Sequence, residues 1–398
     1  MAHQKNHRIA ILGSVGAPAR YGGFETLADN LVQFHAAHSR PEALCVYCSR
    51  PAYPDQPMIY GNATLRYSRL RANGASSVLY DAATLRDAIA KGSDVALLLG
   101  VSGAIALPLL ARKGTRIVTH VDGLEWRRKK WSKPARAFLR WSERLAVQHS
   151  DAIIADNPAI ATYLRRTYRI EPEVIAYGGD HGQQARQIAP ASQWNLPKDY
   201  ALALCRIEPE NNIRMILAAC QKTATPLVFV GNWESSAYGR ALKQQYSGDP
   251  GLRLLDPIYG ADALFTLRSN AAVYIHGHAA GGTNPALVEM MHFGRPTLAF
   301  ECVFNRSTTA GAAQFFTGEA SLVAALQGPT PCNGDALREI ARRDYLWADV
   351  GAQYFELFNR LAQRRAATTT RPETTRGMVL TPPLPLQFDG QSQRTKPR

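Results

Sequence analysis

Residues 276–289, HGHAAGGTNPALVE, combine residue types that suit an anionic ligand. They follow an apolar run at 271–275 that predicts a buried strand, and they lead into a helical pattern at 285–293. A Gly-Gly-Thr-Asn turn therefore stands where a strand gives way to a helix. Free backbone N–H groups and the positive end of the helix dipole meet at such a point, which suits a phosphate.

Glu289 lies one helical turn beyond the start of this predicted helix. A carboxylate there is placed to accept hydrogen bonds from sugar hydroxyls, so the turn and Glu289 together predict a site for a nucleotide-sugar. The alternative is an ordinary connection between a strand and a helix, capped by Thr283 or Asn284.

A second glycine-rich loop, GSVGAPARYGGFET, follows the predicted first strand at 8–12. The loop lacks the GxGxxG spacing of dinucleotide-binding proteins. Gly22 and Gly23 let the backbone approach a ligand just before a helix, while Arg20 adds a cation and Glu25 a carboxylate. The alternative is a flexible loop without a ligand.

Two further strand ends carry polar residues. His120 and Asp122 follow the strand predicted at 116–119, where they can hold sugar hydroxyls or stabilise positive charge at a sugar carbon. Arg206 follows the strand predicted at 201–205, where a planar guanidinium can form paired hydrogen bonds with a diphosphate.

Basic residues 127–130 stand between Trp126 and Trp131. This pattern indicates either contact with an anionic membrane surface, with the indole rings at headgroup level, or simply a solvated start of a helix.

Alternating strand and helix patterns place these residues. Strands are predicted at 8–12, 43–48, 95–99, 116–119 and 152–154, and a second series begins at 201–205, 227–230, 272–276 and 297–300. This alternation predicts two doubly wound parallel-sheet domains facing across a cleft, and ligands bind at the carboxyl ends of such strands. The predicted bounds are 1–185 for the first domain, 186–343 for the second, 344–364 for a helix crossing back to the first, and 365–398 for a disordered tail.

Composition narrows the class of protein. The net charge of +14 favours anionic partners, but no recognisable nucleic-acid module accompanies it.

Cys45 and Cys48 lie within a predicted strand without a second pair, so a zinc or redox site is disfavoured and a cytoplasmic setting is expected. The uncharged run 95–111 is interrupted by glycines, so a strand, a turn and an apolar helix are expected there rather than a membrane span.

Three segments resemble the retaining glycosyltransferases of the GT-B fold, in particular glycosyltransferase family 4 and its bacterial rhamnosyltransferase-type branch, which assembles surface polysaccharides. They are RIAILGSVGAPARYGGFET, HVDGLEWRRKKWS, and CRIEPENN together with YIHGHAAGGTNPALVEMMHFGRP and the following FNR. The resemblance spans most of residues 8–360.

This resemblance implies a donor site in the second domain. Glu289 would hold the ribose hydroxyls and Arg206 the diphosphate, and the full donor-binding set is Arg206, His278, Gly281, Gly282, Thr283, Asn284 and Glu289. The first domain would bind the acceptor beside a loop containing Arg20, Gly22, Gly23 and Glu25, with His120, Asp122 and Arg206 as the catalytic residues. Retention of configuration without a required metal or cofactor is implied, with the leaving phosphate taking the acceptor proton.

The chain departs from the family pattern at two points. Gly281 stands where the family has the first carboxylate of Glu-x7-Glu, and Glu210, Asn211 and Asn212 stand where it has a lysine.

The sequence therefore predicts transfer of a sugar, rhamnose being the first candidate, to a glycan or polyprenyl-diphosphate-linked acceptor at the inner face of the cell membrane. A nucleotide-sugar epimerase or hydrolase with the same two domains is the first alternative. A nucleic-acid binder, suggested only by the charge, is the second.

Overall fold

The computed structural model describes residues 6–19, 22–128, 131–184 and 194–368. Two β-sheets organise this part of the chain. The strands of the first sheet are β1 (Arg8–Leu12), β2 (Ala43–Ser49), β3 (Ile59–Tyr60), β4 (Ala63–Ser68), β5 (Val95–Leu99), β6 (Arg116–Val121), β7 (Ala152–Ala155) and β8 (Glu173–Val174). Those of the second are β9 (Ala201–Leu204), β10 (Leu227–Val230), β11 (Leu252–Leu255), β12 (Val273–His276), β13 (Thr297–Phe300) and β14 (Gln314–Phe316).

The first sheet has the order β3-β4-β2-β1-β5-β6-β7-β8, and all pairs are parallel except the short β3–β4 pair. The central strands β1 and β5 read RIAIL and VALLL, and apart from the exposed Arg8 all their residues are apolar and buried. Such runs are typical of parallel strands covered by helices on each side. The second sheet is entirely parallel, with the order β11-β10-β9-β12-β13-β14.

Helices connect and cover the strands. They are α1 (Gly23–Ala37), α2 (Ser77–Ala90), α3 (Lys133–His149), α4 (Pro158–Tyr168), α5 (Ile213–Lys222), α6 (Ala237–Tyr246), α7 (Ala261–Asn270), α8 (Pro285–His292), α9 (Val303–Thr308), α10 (Glu319–Gln327), α11 (Gly334–Asp344) and α12 (Trp347–Thr368). We call the first sheet with its helices the first lobe and the second sheet with its helices the second lobe. The predicted class, two doubly wound α/β domains, is confirmed.

The last helix crosses back to the first lobe, as expected. The ring of Phe355 in α12 stacks on that of Phe34 in α1, with 5.7 Å between the ring centroids. The helix differs in its limits from the prediction, because Asp344 ends α11 and α12 begins only at Trp347 and continues to Thr368. The boundary predicted at residue 185 and the tail from 369 onward lie outside the described residues.

The uncharged run 95–111 forms β5 followed by a 3-10 helix, Ser102–Leu109, that contains Pro108. The expected strand, turn and apolar helix are therefore present, and the helix is of the 3-10 type. Within the described ranges, no helix combines the length and the apolar character needed to cross a membrane.

Candidate functional site

A cleft of about 480 Å³ lies between the two lobes. Most of its walls come from the loops that follow the carboxyl ends of β1, β6, β7 and β8 in the first lobe and of β9, β10 and β12 in the second. Its lining includes Gly22, Gly23, Phe24, Glu25, Asp122, Arg128, Asp156, Tyr177, Arg206, Glu208, Asn211, Asn232, His278, Gly281, Gly282, Thr283, Asn284 and Pro285. Most of the residues that the sequence singles out thus meet in one place.

The loop after β1 enters the cleft through Gly22, Gly23 and Glu25. Gly22 has a φ of 123°, a conformation that favours glycine, and a Cβ at this position would lie 2.2 Å from Glu25 Oε2. The Glu25 carboxylate accepts a hydrogen bond from the Val15 N–H at 2.8 Å, and burial raises its pKa. Arg20, predicted to add a cation here, lies outside the described residues.

His120 and Asp122 occupy the end of β6, as predicted. Asp122 lines the cleft, where its carboxylate accepts the Gly123 N–H at 2.8 Å. Burial alone would raise its pKa, but the charge of Arg128, aided by this hydrogen bond, outweighs burial and the pKa is lowered. Asp122 is therefore an anion at neutral pH.

His120 is fully buried behind the cleft surface, packed edge-on against the ring of Phe24 at 5.2 Å between centroids. Neither ring nitrogen has a hydrogen-bond partner among the residues that the structure describes. Burial lowers the pKa of His120 to about 4, so the imidazole is neutral at pH 7. Its predicted catalytic role stays a prediction, since the residue does not line the cleft.

Arg206 is exposed on the cleft wall directly after β9. Its guanidinium makes no ion pair or hydrogen bond with any residue in the described ranges, although its charge acts on Glu25 and Asp122 across the cleft. A cation held in a cleft without a protein partner is available to a ligand anion.

A second cation, Arg128, was not assigned to this site by the sequence. Its side chain is 8% exposed and lies 2.6 Å from Glu125 and, across the lobes, 3.7 Å from Glu208. The interpretation of residues 127–130 as a solvated or membrane-facing run is therefore wrong for Arg128, which faces the cleft. Lys129 and Lys130 are outside the described part of the chain.

The two tryptophans beside this run are held by the protein itself. Trp126 donates its indole N–H to Glu143 at 3.1 Å, and Trp131 donates to Glu125 at 2.9 Å. Both residues are half-buried, and their contact with a membrane stays a prediction.

The glycine turn joins β12 to α8, as the sequence predicts. Gly281 has a φ of 137°, and Asn284 caps α8 by accepting the Ala286 N–H at 3.0 Å. The cap expected of an ordinary connection between a strand and a helix is thus present, and the turn also lines the cleft. Pro285, the first residue of α8, has no N–H to offer an anion, so any backbone donors at this helix start come from neighbouring residues.

The first lobe presses directly on this turn. A Cβ on Gly282 would lie 2.0 Å from Asp156 Oδ1, and a Cβ on Gly123 would lie 2.0 Å from the Gly281 carbonyl carbon. Thr283 donates its hydroxyl to the Asp156 backbone carbonyl. The two lobes therefore contact each other at the predicted phosphate site. At Gly123 and Gly282 this contact leaves no room for a Cβ atom.

Asp156 and Tyr177 also belong to the first-lobe wall, and neither was predicted from the sequence. Asp156 directly follows β7, is 1% exposed, and its Oδ1 has no partner among the described residues. Burial, reinforced by the charge of Asp122, raises its pKa well above the ordinary value. Asp156 could have been predicted from its position at a strand end, which is how His120 and Arg206 were found.

His276 and His278 stack with 4.3 Å between ring centroids, and His278 lines the cleft. Burial lowers the pKa of both imidazoles, that of His276 to about 3. Both are neutral at physiological pH and present hydrogen-bonding groups rather than charge.

Glu289 is 9% exposed and is not among the residues that line the cleft. Arg268 of α7 forms an ion pair with one carboxylate oxygen, and His181 Nε2 lies 3.3 Å from the other. Burial would raise the pKa of Glu289, but the charge of Arg268 and the His181 contact lower it. Its role at the ribose stays a prediction.

Comparison with known proteins supports this architecture. Residues 6–180 match the model of a domain of unknown function, DUF1972. No curated protein matches the chain. Sucrose-phosphate synthase from Thermosynechococcus elongatus is similar in structure, with a TM-score of 0.74 and 18% identity over 90% of this chain and 100% of that one.

Two further solved structures extend the comparison. Anabaena HepE in complex with UDP has a TM-score of 0.63 and 14% identity over 89% of this chain and 100% of its own. A protein described as a UDP-N-acetylglucosamine 2-epimerase, from Listeria monocytogenes, has a TM-score of 0.60 and 12% identity over 92% of this chain and 98% of its own. At these identities the likeness establishes the fold, and the chain has the two-lobed GT-B architecture.

Proposed function

We propose that this protein is a glycosyltransferase that moves a sugar from a nucleoside-diphosphate donor to a glycan or polyprenyl-diphosphate-linked acceptor in surface polysaccharide synthesis. The observation that carries the proposal is the position of Arg206, an exposed guanidinium without a protein partner in the described ranges, on the same cleft as the Gly281–Gly282 turn. A cation and free backbone N–H groups stabilise the charge that develops on a leaving diphosphate.

The opposite wall suits the sugar and the acceptor. Asp122 is an anion that can stabilise positive charge at the sugar carbon, while the Tyr177 hydroxyl and the buried Asp156 carboxyl group offer hydrogen bonds to sugar hydroxyls. In the retaining mechanism that we propose, the acceptor oxygen forms its bond to the sugar carbon as the phosphate oxygen leaves. The leaving phosphate takes the acceptor proton, so no added base is needed.

A binding screen followed by turnover tests the proposal. Thermal unfolding with UDP-, GDP-, dTDP- and ADP-linked sugars, including dTDP-rhamnose, identifies the donor because a bound ligand raises the melting temperature. We expect Arg206→Ala to abolish transfer of label from that donor, whereas Arg214→Ala, an exposed arginine on α5 of the same lobe, retains transfer. Equal activity of the two variants would contradict the role given to Arg206.

The structural likeness to an epimerase favours one alternative, a nucleotide-sugar epimerase or hydrolase. The two functions differ in their need for an acceptor. Conversion of the donor at the full rate without any acceptor would support the alternative, and transfer that requires a glycan acceptor would exclude it.

We further propose that the first lobe contacts an anionic membrane, through α3 rather than through the two tryptophans of the basic run. Arg136, Arg140 and Arg144 follow one another at four-residue intervals on the exposed face of α3. Trp141 on this face is 50% exposed, and Leu109 beside the helix is 86% exposed. Cations next to exposed apolar side chains suit an anionic lipid surface.

Vesicle sedimentation measures this contact. We expect binding to phosphatidylglycerol vesicles but not to phosphatidylcholine vesicles, with loss of binding when Arg140 and Arg144 are replaced by glutamate. Unchanged binding of that double variant would exclude α3 as the contact surface.

A further inference from the structure

Glu289 is connected to the two chain segments that join the lobes. The first segment leaves β8 and contains Tyr177, Gly178, Gly179, Asp180 and His181, and the second runs from Tyr345 to Trp347, where α11 ends and α12 begins. We call them the outward and return segments. They are hydrogen-bonded to each other, since the Gly179 N–H donates to the Tyr345 carbonyl at 2.9 Å and the Trp347 N–H donates to Asp180 at 2.8 Å.

Both segments pack closely on α8, the helix that carries Glu289. A Cβ on Gly179 would lie 2.6 Å from the Val288 carbonyl carbon, so only glycine allows this approach. Gln183 donates to the His292 carbonyl at 2.7 Å, and the His292 ring bonds the Tyr345 carbonyl at 3.0 Å. The position of α8 is therefore fixed relative to both segments.

A chain of side-chain hydrogen bonds runs from the return segment to the carboxylate. The indole Nε1–H of Trp347 donates to His181 Nδ1 at 2.8 Å, and His181 Nε2 lies 3.3 Å from Glu289 Oε1. An indole N–H can only donate, so Nδ1 must accept and the imidazole proton must be on Nε2, facing Glu289. Trp347 thereby selects the tautomer in which His181 is a donor to the carboxylate.

Arg268 and His181 each engage a different oxygen of Glu289. Each carboxylate oxygen has a second lone pair, so the group can still accept hydrogen bonds from a ligand. Two fixed donors on a buried carboxylate also set the direction in which the remaining lone pairs point.

We propose that His181 and Trp347 are positioning residues for the nucleotide, holding the Glu289 carboxylate in the orientation that accepts the hydroxyls of the donor ribose. The inference rests on the proposed function, because it requires that a nucleoside diphosphate binds beside α8. It adds that the ribose site depends on the same segments that connect the lobes, so nucleotide binding and the relative position of the lobes are coupled.

Calorimetric titration with UDP, GDP, ADP and dTDP, each beside the form that lacks ribose hydroxyls, tests the inference. With a nucleotide that the wild-type protein binds, we expect His181→Ala and Trp347→Phe to weaken binding about tenfold, the loss of roughly one charge-assisted hydrogen bond. The form without ribose hydroxyls should bind equally to wild type and variants, because it makes no contact with Glu289. His181→Gln, whose amide can replace Nε2–H as donor, should recover most of the lost affinity.

Controls separate positioning from structural damage. Arg214→Ala changes an exposed residue of α5 and should leave both affinities unchanged. Glu289→Ala should show the same dependence on the ribose hydroxyls as His181→Ala. Equal weakening of both nucleotide forms, or unchanged binding in the two variants, would overturn the inference while leaving nucleotide binding intact. Failure of the wild-type protein to bind any of the four nucleotides would instead overturn the proposed function.

Discussion

Burial controls the chemistry of acidic side chains in the first lobe. Asp81 of α2 is 1% exposed and accepts a hydrogen bond from the Ser102 hydroxyl at 2.6 Å. Burial raises its pKa to about 7, against an ordinary value of 3.8, although Ser102 and the Gly103 N–H act in the opposite direction. Asp81 is therefore a carboxyl group that titrates close to physiological pH.

The stability of the protein should consequently fall as Asp81 ionises. Because the folded-state pKa is the higher one, the stabilising contribution is complete below pH 4 and is lost as the pH rises through about 7. The slope from one such group is at most about 1.4 kcal/mol per pH unit. We expect Asp81→Asn to unfold at a denaturant concentration that varies less between pH 4 and 8, measured by urea titration. A variant with the same pH dependence as wild type would contradict this assignment.

Residues with local chemical signals were predictable, and residues whose partners are distant in sequence were not. Arg206 and the Gly281–Gly282 turn stand at strand ends that periodicity alone locates. His181 and Trp347 are 166 positions apart, and nothing near either residue indicates the other. Arg128 was likewise misjudged because its partner Glu208 belongs to the other lobe.

At the scale of elements, the turn between β12 and α8 is both the contact between the lobes and the phosphate site that we propose. Gly282 touches Asp156 so closely that any side chain must displace the carboxyl group.

Strands such as β1 and β5 were predicted because they are almost entirely apolar runs. Strands at or next to a sheet edge were missed because their burial is partial, as in β4 (ATLRYS), which lies next to the edge strand β3, and in the edge strand β11 (LRLL).

Gly282→Ala should destabilise the protein by about 1–3 kcal/mol, the usual cost of overpacking. Removing the obstructing group with Asp156→Ala in the same chain should recover part of that loss, so the double variant is less destabilised than the two single effects added together. Gly248→Ala, at a glycine with open space around it, is the matched control. Urea unfolding of the four variants checks the cycle, and strictly additive effects would argue against the contact.

On the scale of the whole molecule, Asn157 joins the lobes. Its Oδ1 caps α4 by accepting the Ala159 N–H at 2.9 Å. Its Nδ2 reaches across the lobes to the Thr283 hydroxyl at 3.3 Å and the Thr308 hydroxyl at 3.2 Å. The side-chain oxygen of Asn157 thus caps a helix of the first lobe, while its side-chain nitrogen contacts the second lobe.

Asn157→Asp should keep the helix cap and remove the hydrogen bonds donated to the second lobe, because the carboxylate keeps the capping oxygen and loses the amide donors. We expect small-angle X-ray scattering to show a larger radius of gyration for this variant, with an unchanged helical signal in circular dichroism. Asn157→Ala loses the cap as well and should also unfold more readily. Identical scattering of wild type and Asn157→Asp would mean that the lobes are held by other contacts.

The hydrogen bond between the Gly179 N–H and the Tyr345 carbonyl brings together the points where the chain departs from the first lobe and comes back to it. In topological terms the second lobe is an insertion, with its entry and exit side by side and α12 completing the body that β1 begins. A designer could therefore replace residues between these two points with a short bridging peptide, or exchange them for the corresponding segment of another protein of this architecture. If the second lobe binds the donor, as we propose, such an exchange would transfer donor preference and leave the first lobe unchanged.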